Sequence, residues 1–228
     1  MTEDKTNSNI LSQNQTFGNK ILPKDLVIVI GRQFGSGGRR IGKKLAKKLG
    51  ISYYDSELLP KAAQRLGMNP EIFREHEEKK PSVLHTLMQG LYGIADNFHS
   101  VPMNGETIYK EQSKVIKDLC SQGPCVIVGR TADYIMRENP NIVSVFLHSP
   151  VEYRAKAIVE RGESRDIQSA IDLAKRRDKE RESYYNYFTC GDNWGRSSNY
   201  HLSIDTSRID EDTVTDIVLA FVAGRIGQ

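Results

Sequence analysis

The sequence predicts an α/β protein in which a parallel sheet lies between layers of helix, and three observations carry that expectation. Four consecutive β-branched residues, Val27-Ile28-Val29-Ile30, suit a strand covered on both faces, as strands of parallel sheets are. Strand-like and helix-like runs then alternate along the chain, the order that builds such sheets through right-handed crossovers. Between the first strand and the first helix lies a glycine loop, with Gly31, Gly35, Gly37 and Gly38. Strand, glycine loop and helix is a layout that cradles phosphate, because backbone N–H groups at the loop and helix start point at the anion.

Residues 1–24 are rich in Asn, Gln, Ser, Thr and Lys, and are expected to form a disordered or loosely held tail. After the loop, Ile41, Leu45 and Leu49 recur every fourth residue among lysines, which predicts one apolar stripe on a solvated helix, ended by Gly50. Ile51–Tyr54 is a second strand, and Asp55-Ser56 can cap a helix over Glu57–Leu66. From 67 to about 106, glycines and prolines punctuate short helical pieces, an excursion from the sheet. Thr107 is expected to cap a helix reaching Cys120. Cys125–Val128 is a buried strand ending in Gly129-Arg130, Ala132–Arg137 a short helix and Ile142–Leu147 the next strand. Ser149-Pro150 has the N-cap, N1 pattern of a helix running to about Arg161. A long charged helix over Ile167–Tyr187, a strand at Tyr200–Ile204 and a helix from Asp210 to about Val222 complete the chain.

A length of 228 residues suits one such domain with an insertion. A net charge of +3 is too small to argue for nucleic acid, and no nucleic-acid partner is expected. Three cysteines without CxxC spacing suggest a reducing, cytoplasmic setting and no zinc site. No apolar run is long enough for a membrane span.

Laid on the phosphate-loop pattern G-x-x-x-x-G-K-[ST] with Gly37 as its second glycine, the sequence puts Arg32 at the first glycine, Gly38 at the lysine and Arg39 at the hydroxyl residue. Arg39 and Arg40 fall in the first helical turn, where cations oppose the helix dipole unless an anion is bound. The expectation is that Arg39 supplies the lysine's charge.

Together these residues resemble the cytidylate kinase-like family, whose phosphate loop reads R-x-[FY]-G-S-G-G-R. Arg32-Gln-Phe-Gly-Ser-Gly-Gly-Arg39 matches that loop, and Tyr54-Asp55-Ser56, Gly129-Arg130, Asp178-Lys-Glu-Arg181 and Ile204-Asp-Thr-Ser207 match its further segments. The resemblance implies a three-layer P-loop fold with a five-stranded parallel sheet, ATP with Mg²⁺ as donor, and CMP or dCMP as acceptor. It implies one kinase domain over 25–228, a monophosphate-binding insertion over about 56–110, and a lid with its flanking helices over about 154–190. Gly35, Ser36, Gly37, Gly38, Arg39 and Arg40 would hold ATP; Asp55, Ser56, Lys61, Arg130, Asp178 and Arg181 would hold the monophosphate. Arg39, Arg130, Arg154 and Arg161 would serve the transfer, the last two sharing a helix face. Ser36 and Asp133 are the candidates for magnesium.

Several positions depart from the cytidylate kinase pattern. Val128 and Thr131 replace acidic residues around the Gly-Arg pair, Lys61 replaces an arginine, and Ala174 stands where an arginine precedes the D-x-x-R. A kinase with another small acceptor, or a nucleotide-binding regulator with little turnover, are the rival expectations. Plain structural roles also exist: Asp55 and Ser56 as helix caps, and Asp178 with Arg181 as an i, i+3 ion pair.

Overall fold

The structure, a computed structural model, describes residues 16–17, 20–56, 58–65, 67 and 105–226. Its main sheet has five parallel strands: β3 (Val27–Arg32), β4 (Ser52–Tyr54), β5 (Cys125–Val128), β6 (Ile142–His148) and β7 (Leu202–Asp205), in the order β4-β5-β3-β6-β7. β3 is central, with Val27 opposite Cys125 on one side and Ile142 on the other. Its alternate residues divide the core as the two-residue period of a strand requires. Ile28 and Ile30 face Ile41 and Leu45 of α1 (Gly38–Leu49) and Val214, Val218 and Val222 of α7 (Glu211–Arg225). Val27 and Val29 face Leu59 and Ala63 of α2 (Leu58–Arg65) and Val115, Ile116 and Leu119 of α3 (Gly105–Ser121). The expected helix–sheet–helix layering is therefore present.

The remaining elements attach at the sheet's C-terminal edge. A short α4 (Ala132–Ile135) follows β5, α5 (Val151–Glu160) follows β6, and α6 (Ile167–Phe188) packs on α5 through Ala155, Ile158, Ala170 and Ala174. Asp166 caps α6 by accepting from Ser169 N at 2.8 Å, and Asp210 caps α7 from Thr213 N at 2.8 Å. No helix among the described residues is long and apolar enough to cross a membrane.

Some boundaries differ from expectation. The end of the polar N-terminal stretch is ordered: β1 (Thr16–Phe17) pairs antiparallel with β2 (Lys20–Ile21), Phe17 packs on the core and Leu22 is buried in it. Two apolar side chains in a polar stretch suffice for this. Gly105 begins α3, so Thr107 lies in its first turn rather than at its cap. Pro150, not Ser149, is the N-cap of α5, with no side-chain cap, and Ser149 N donates to the Gln33 side chain at 3.0 Å. The last strand begins at Leu202, and Tyr200 instead turns its ring onto Phe146. The helical pieces expected over 68–104 lie outside the described residues.

Candidate active site

Beyond the C-terminal ends of β3 and β5 lies a cavity of about 630 Å³. Eight Arg and Lys side chains line it against two glutamates, Glu163 and Glu180. Both glutamates are engaged, Glu163 with Arg161 at 2.8 Å and Glu180 with Arg177 at 3.4 Å. A space walled by cations in this excess suits a ligand carrying several negative charges.

Its floor is the glycine loop, which is tied down on every side. Phe34 N donates to Asp178 Oδ1 at 2.7 Å, and Phe34 O accepts from Arg154 Nη1 at 2.8 Å. The Ser36 hydroxyl lies within reach of Gln33 O (2.9 Å) and Leu147 O (3.1 Å), while Ser36 O accepts from Thr206 at 3.2 Å. Gly37 is the left-handed N-cap of α1, with φ 87°, and starts the helix with no side-chain cap. The N–H groups of that first turn have no intrahelical partners, as at any helix start. With Gly35, Gly37 and Gly38 all lining the cavity, the loop offers backbone donors of the kind that hold a phosphate.

The expected residues divide into those the cavity gathers and those it does not. Gly35, Gly37, Gly38, Arg39, Arg40, Ser56, Arg130, Arg161 and Arg181 line it. Arg39 turns its guanidinium to the Ser56 hydroxyl, near the start of α2. Arg40 pairs with Glu211 of α7. Arg130 is buried, with a left-handed backbone (φ 62°) directly after Gly129. Arg181 sits over the Phe34 ring, 5.4 Å from its centroid.

Ser36, Asp55, Lys61, Arg154 and Asp178 are not among the lining residues. Both carboxylate oxygens of Asp55 have structural partners, Leu58 N at 3.1 Å and the Tyr53 hydroxyl at 3.0 Å, so it acts as the cap of α2. Lys61 is exposed on α2. Arg154, expected beside Arg161, is instead buried and bonded to Ser149 O at 2.8 Å, Phe34 O and Asp178 Oδ2 at 2.7 Å. Arg161, the C-cap of α5, still bonds Ala157 O at 3.3 Å; what separates the two arginines is their partners, Asp178 for Arg154 and Glu163 for Arg161. Ala174 is fully buried in the cluster against which Phe34 packs, with no room for the longer side chain.

Of the two magnesium candidates, Ser36 lies under the loop, and Asp133 accepts from the Tyr185 hydroxyl at 2.7 Å; neither lines the cavity. Among the described residues no group of three or more His, Cys, Asp or Glu could hold a metal.

Burial pushes the Asp133 carboxyl up from 3.8 to about 6. A folded-state value above the unfolded one means that the native protein binds the proton more tightly, so this group's stabilisation is greatest below pH ~4 and is lost as pH rises to about 6. Asp133→Asn keeps an acceptor for Tyr185 and removes the charge. Denaturant midpoints of the two proteins should therefore diverge between pH 4 and 6.5 in the variant's favour, by up to about 3 kcal/mol at 1.36 kcal/mol per unit. Parallel curves would show that Asp133 does not titrate in this window.

Arg32 also lines the cavity and was not singled out by sequence reasoning. It ends β3 only 9% exposed. The available signal was an arginine closing a strand of buried residues, which is costly without a charged partner or ligand.

Phosphate is the ligand for which loop amides beneath and arginines around are suited, and a glycine loop leaving the central strand of such a parallel sheet is the fold of P-loop kinases. More narrowly, residues 27–208 match the cytidylate kinase-like family, and the chain belongs to it. It is similar to a cytidylate kinase from Methanosarcina barkeri, 25% identical over 194 residues that cover 85% of this chain and 94% of that one. A cytidylate kinase from Sulfolobus acidocaldarius is 26% identical over 196 residues, covering 86% and 93%. Among solved structures, an uncharacterized protein from Eubacterium ventriosum is 28% identical at TM-score 0.65, covering 87% of this chain and 98% of that one. A shikimate kinase from Bacteroides thetaiotaomicron, 11% identical at TM-score 0.51 over 87% and 98% of the two chains, shares the fold. Its family makes this protein a kinase of a nucleotide or another small molecule.

Proposed function

We propose that the protein transfers the γ-phosphoryl group of ATP to a nucleoside monophosphate, with CMP or dCMP preferred. The observation that carries this reading is the continuity of one cationic cavity from the glycine loop to Ser56 and Arg130. Two phosphate groups fit there side by side, and in-line transfer between held anions asks for little else than position and charge. The loop amides of Gly35, Gly37 and Gly38 hold the ATP phosphates. Arg130 forks onto the acceptor phosphate, Arg39 and Ser56 border the acceptor side, and Arg161 and Arg181 approach from the lid side. Magnesium bound together with ATP would supply further screening of the phosphate charge. Arg154 and Asp178 hold the loop rather than the substrate. Similarity to two named cytidylate kinases supports the acceptor.

A second reading has specific support. Lys61 lies outside the cavity and Ala174 leaves no arginine facing it, so a phosphorylated acceptor without a cytosine base also fits. The experiment is coupled detection of ADP with CMP, dCMP, AMP, GMP and UMP, beside a panel of small hydroxylated metabolites. CMP or dCMP is expected to stimulate ADP formation most. Turnover with a metabolite and none of the five nucleotides would replace the first reading by the second.

A further inference from the structure

We propose that Arg32, the last residue of β3, is the cation this phosphate loop uses in place of lysine. The inference rests on the kinase reading but not on the identity of the acceptor. Gly38 holds the lysine's place in the pattern, and its neighbours explain why it is glycine. A Cβ at Gly38 would lie 2.9 Å from both Cβ and Cγ of Arg32, closer than such carbons approach. The room from which a lysine stem would start is therefore taken by the stem of Arg32.

A second glycine locates the other end of the side chain. At Gly129 (φ 80°) a Cβ would overlap Nη1 of Arg32 and lie 2.8 Å from its Cζ. Two glycines far apart in sequence thus leave space for one arginine, Gly38 for its stem and Gly129 for its head. The side chain crosses from the loop at the end of β3 to the end of β5, and its guanidinium comes to rest beside the backbone of the residue preceding Arg130.

This places charge between the two halves of the cavity. The loop, with Gly37 and Gly38, is on one side; Arg130 follows Gly129 on the other. A phosphoryl group passing from a donor on the loop to an acceptor on Arg130 would pass the Arg32 guanidinium. A lysine achieves the same end as a point charge from the helix side; the guanidinium presents paired N–H donors from the strand side. Arg32 is largely buried yet lines the cavity, so its charge acts where water screens it least. Arg39, expected from sequence to fill this role, is exposed and turned to Ser56.

The test compares ATP affinity by calorimetry and kcat with the best acceptor in five full-length proteins: wild type, Arg32→Gln, Gly38→Ala, Arg39→Ala and the double variant Arg32→Gly/Gly38→Lys. Arg32→Gln should weaken ATP binding about 10-fold or more and lower kcat by about two orders of magnitude. Gly38→Ala keeps every charge but displaces the Arg32 stem, and should lower kcat in the same direction. The double variant, which restores the ordinary lysine, should regain at least about 10-fold of the kcat lost in Arg32→Gln. A merely structural arginine would not be rescued in this way, and the double variant decides the matter should Arg32→Gln fail to fold. The proposal is overturned if Arg32→Gln keeps ATP affinity and kcat within about threefold of wild type, if the folded double variant regains nothing, or if Arg39→Ala is the more damaging to both. Should no nucleoside monophosphate be phosphorylated, the acceptor reading fails alone, because ATP affinity across the same proteins still decides the role of Arg32.

Discussion

Arg130→Ala is expected to weaken CMP binding at least about 30-fold while changing ATP binding less than about threefold. Arg130 is buried directly after β5, with a backbone conformation that non-glycine residues rarely adopt. It also lines the cationic cavity, where a guanidinium suits the phosphate of an acceptor. Losing a charge-assisted fork where water is excluded costs on the order of 2 kcal/mol, which is the stated ratio. Calorimetric titration of each nucleotide against wild type and variant is the measurement. Equal loss for both would move Arg130 out of the acceptor half of the cavity, and an unchanged CMP affinity would remove it from the site altogether. Left-handed φ also predicts a stability effect of the opposite sign: Arg130→Gly relieves the backbone, and should melt no lower than Arg130→Ala.

Strong local signals made the sheet legible. Runs such as Val27–Ile30 and Cys125–Val128, short, rich in β-branched residues and flanked by glycine or proline, suit a doubly covered strand, and glycine at 50 ends α1 in the left-handed conformation that suits it. The glycine loop was legible for the same reason, since a loop between a buried strand and an amphipathic helix has a known physical use. Side-chain destinations were not. Asp178 and Arg154 are separated by 24 residues and belong to different helices, so no spacing rule pairs them. The spacing of seven between Arg154 and Arg161 pointed to a shared face, but spacing does not choose partners, and Arg154 pairs with Asp178 while Arg161 pairs with Glu163. Arg32 was hidden by register: matched to the first glycine of a pattern, it looked like a departure to be explained away. Only the contacts at Gly38 and Gly129, where an added Cβ would meet Arg32, point to that residue as the proposed stand-in for the lysine.

Asp178→Ala should cost about 3–5 kcal/mol of stability, the largest single-site loss expected in the described part of the molecule. Asp178 and Arg154 are 14% and 6% exposed and meet at 2.7 Å. Burial holds the Asp178 carboxyl above its usual range in spite of Phe34 N, Arg154 and Arg181, which each pull it down. The pair is thus no great source of stability against an apolar substitute; what is costly is to remove one member and leave the other. In Asp178→Ala the Arg154 guanidinium keeps its carbonyl partners, Ser149 O and Phe34 O, but loses its counter-charge, and Phe34 N loses its acceptor. Arg154→Met should cost somewhat less, because Arg181 at 3.9 Å and Phe34 N at 2.7 Å still face the carboxylate. The double variant Arg154→Met/Asp178→Leu should be destabilised by less than the sum of the single changes, because neither member of the 2.7 Å pair is left without the other; Arg181, 3.9 Å from Asp178 Oδ1, loses its neighbour equally in Asp178→Ala. Urea midpoints of the four proteins measure this directly. The double variant should nevertheless bind ATP more weakly than wild type, since the carboxylate and guanidinium anchor both the N–H and the C=O of Phe34, one residue before the glycine loop's first left-handed turn at Gly35. Additive losses of stability would show that the two groups act separately. An unchanged ATP affinity would show that α6 does not hold the loop in its binding shape.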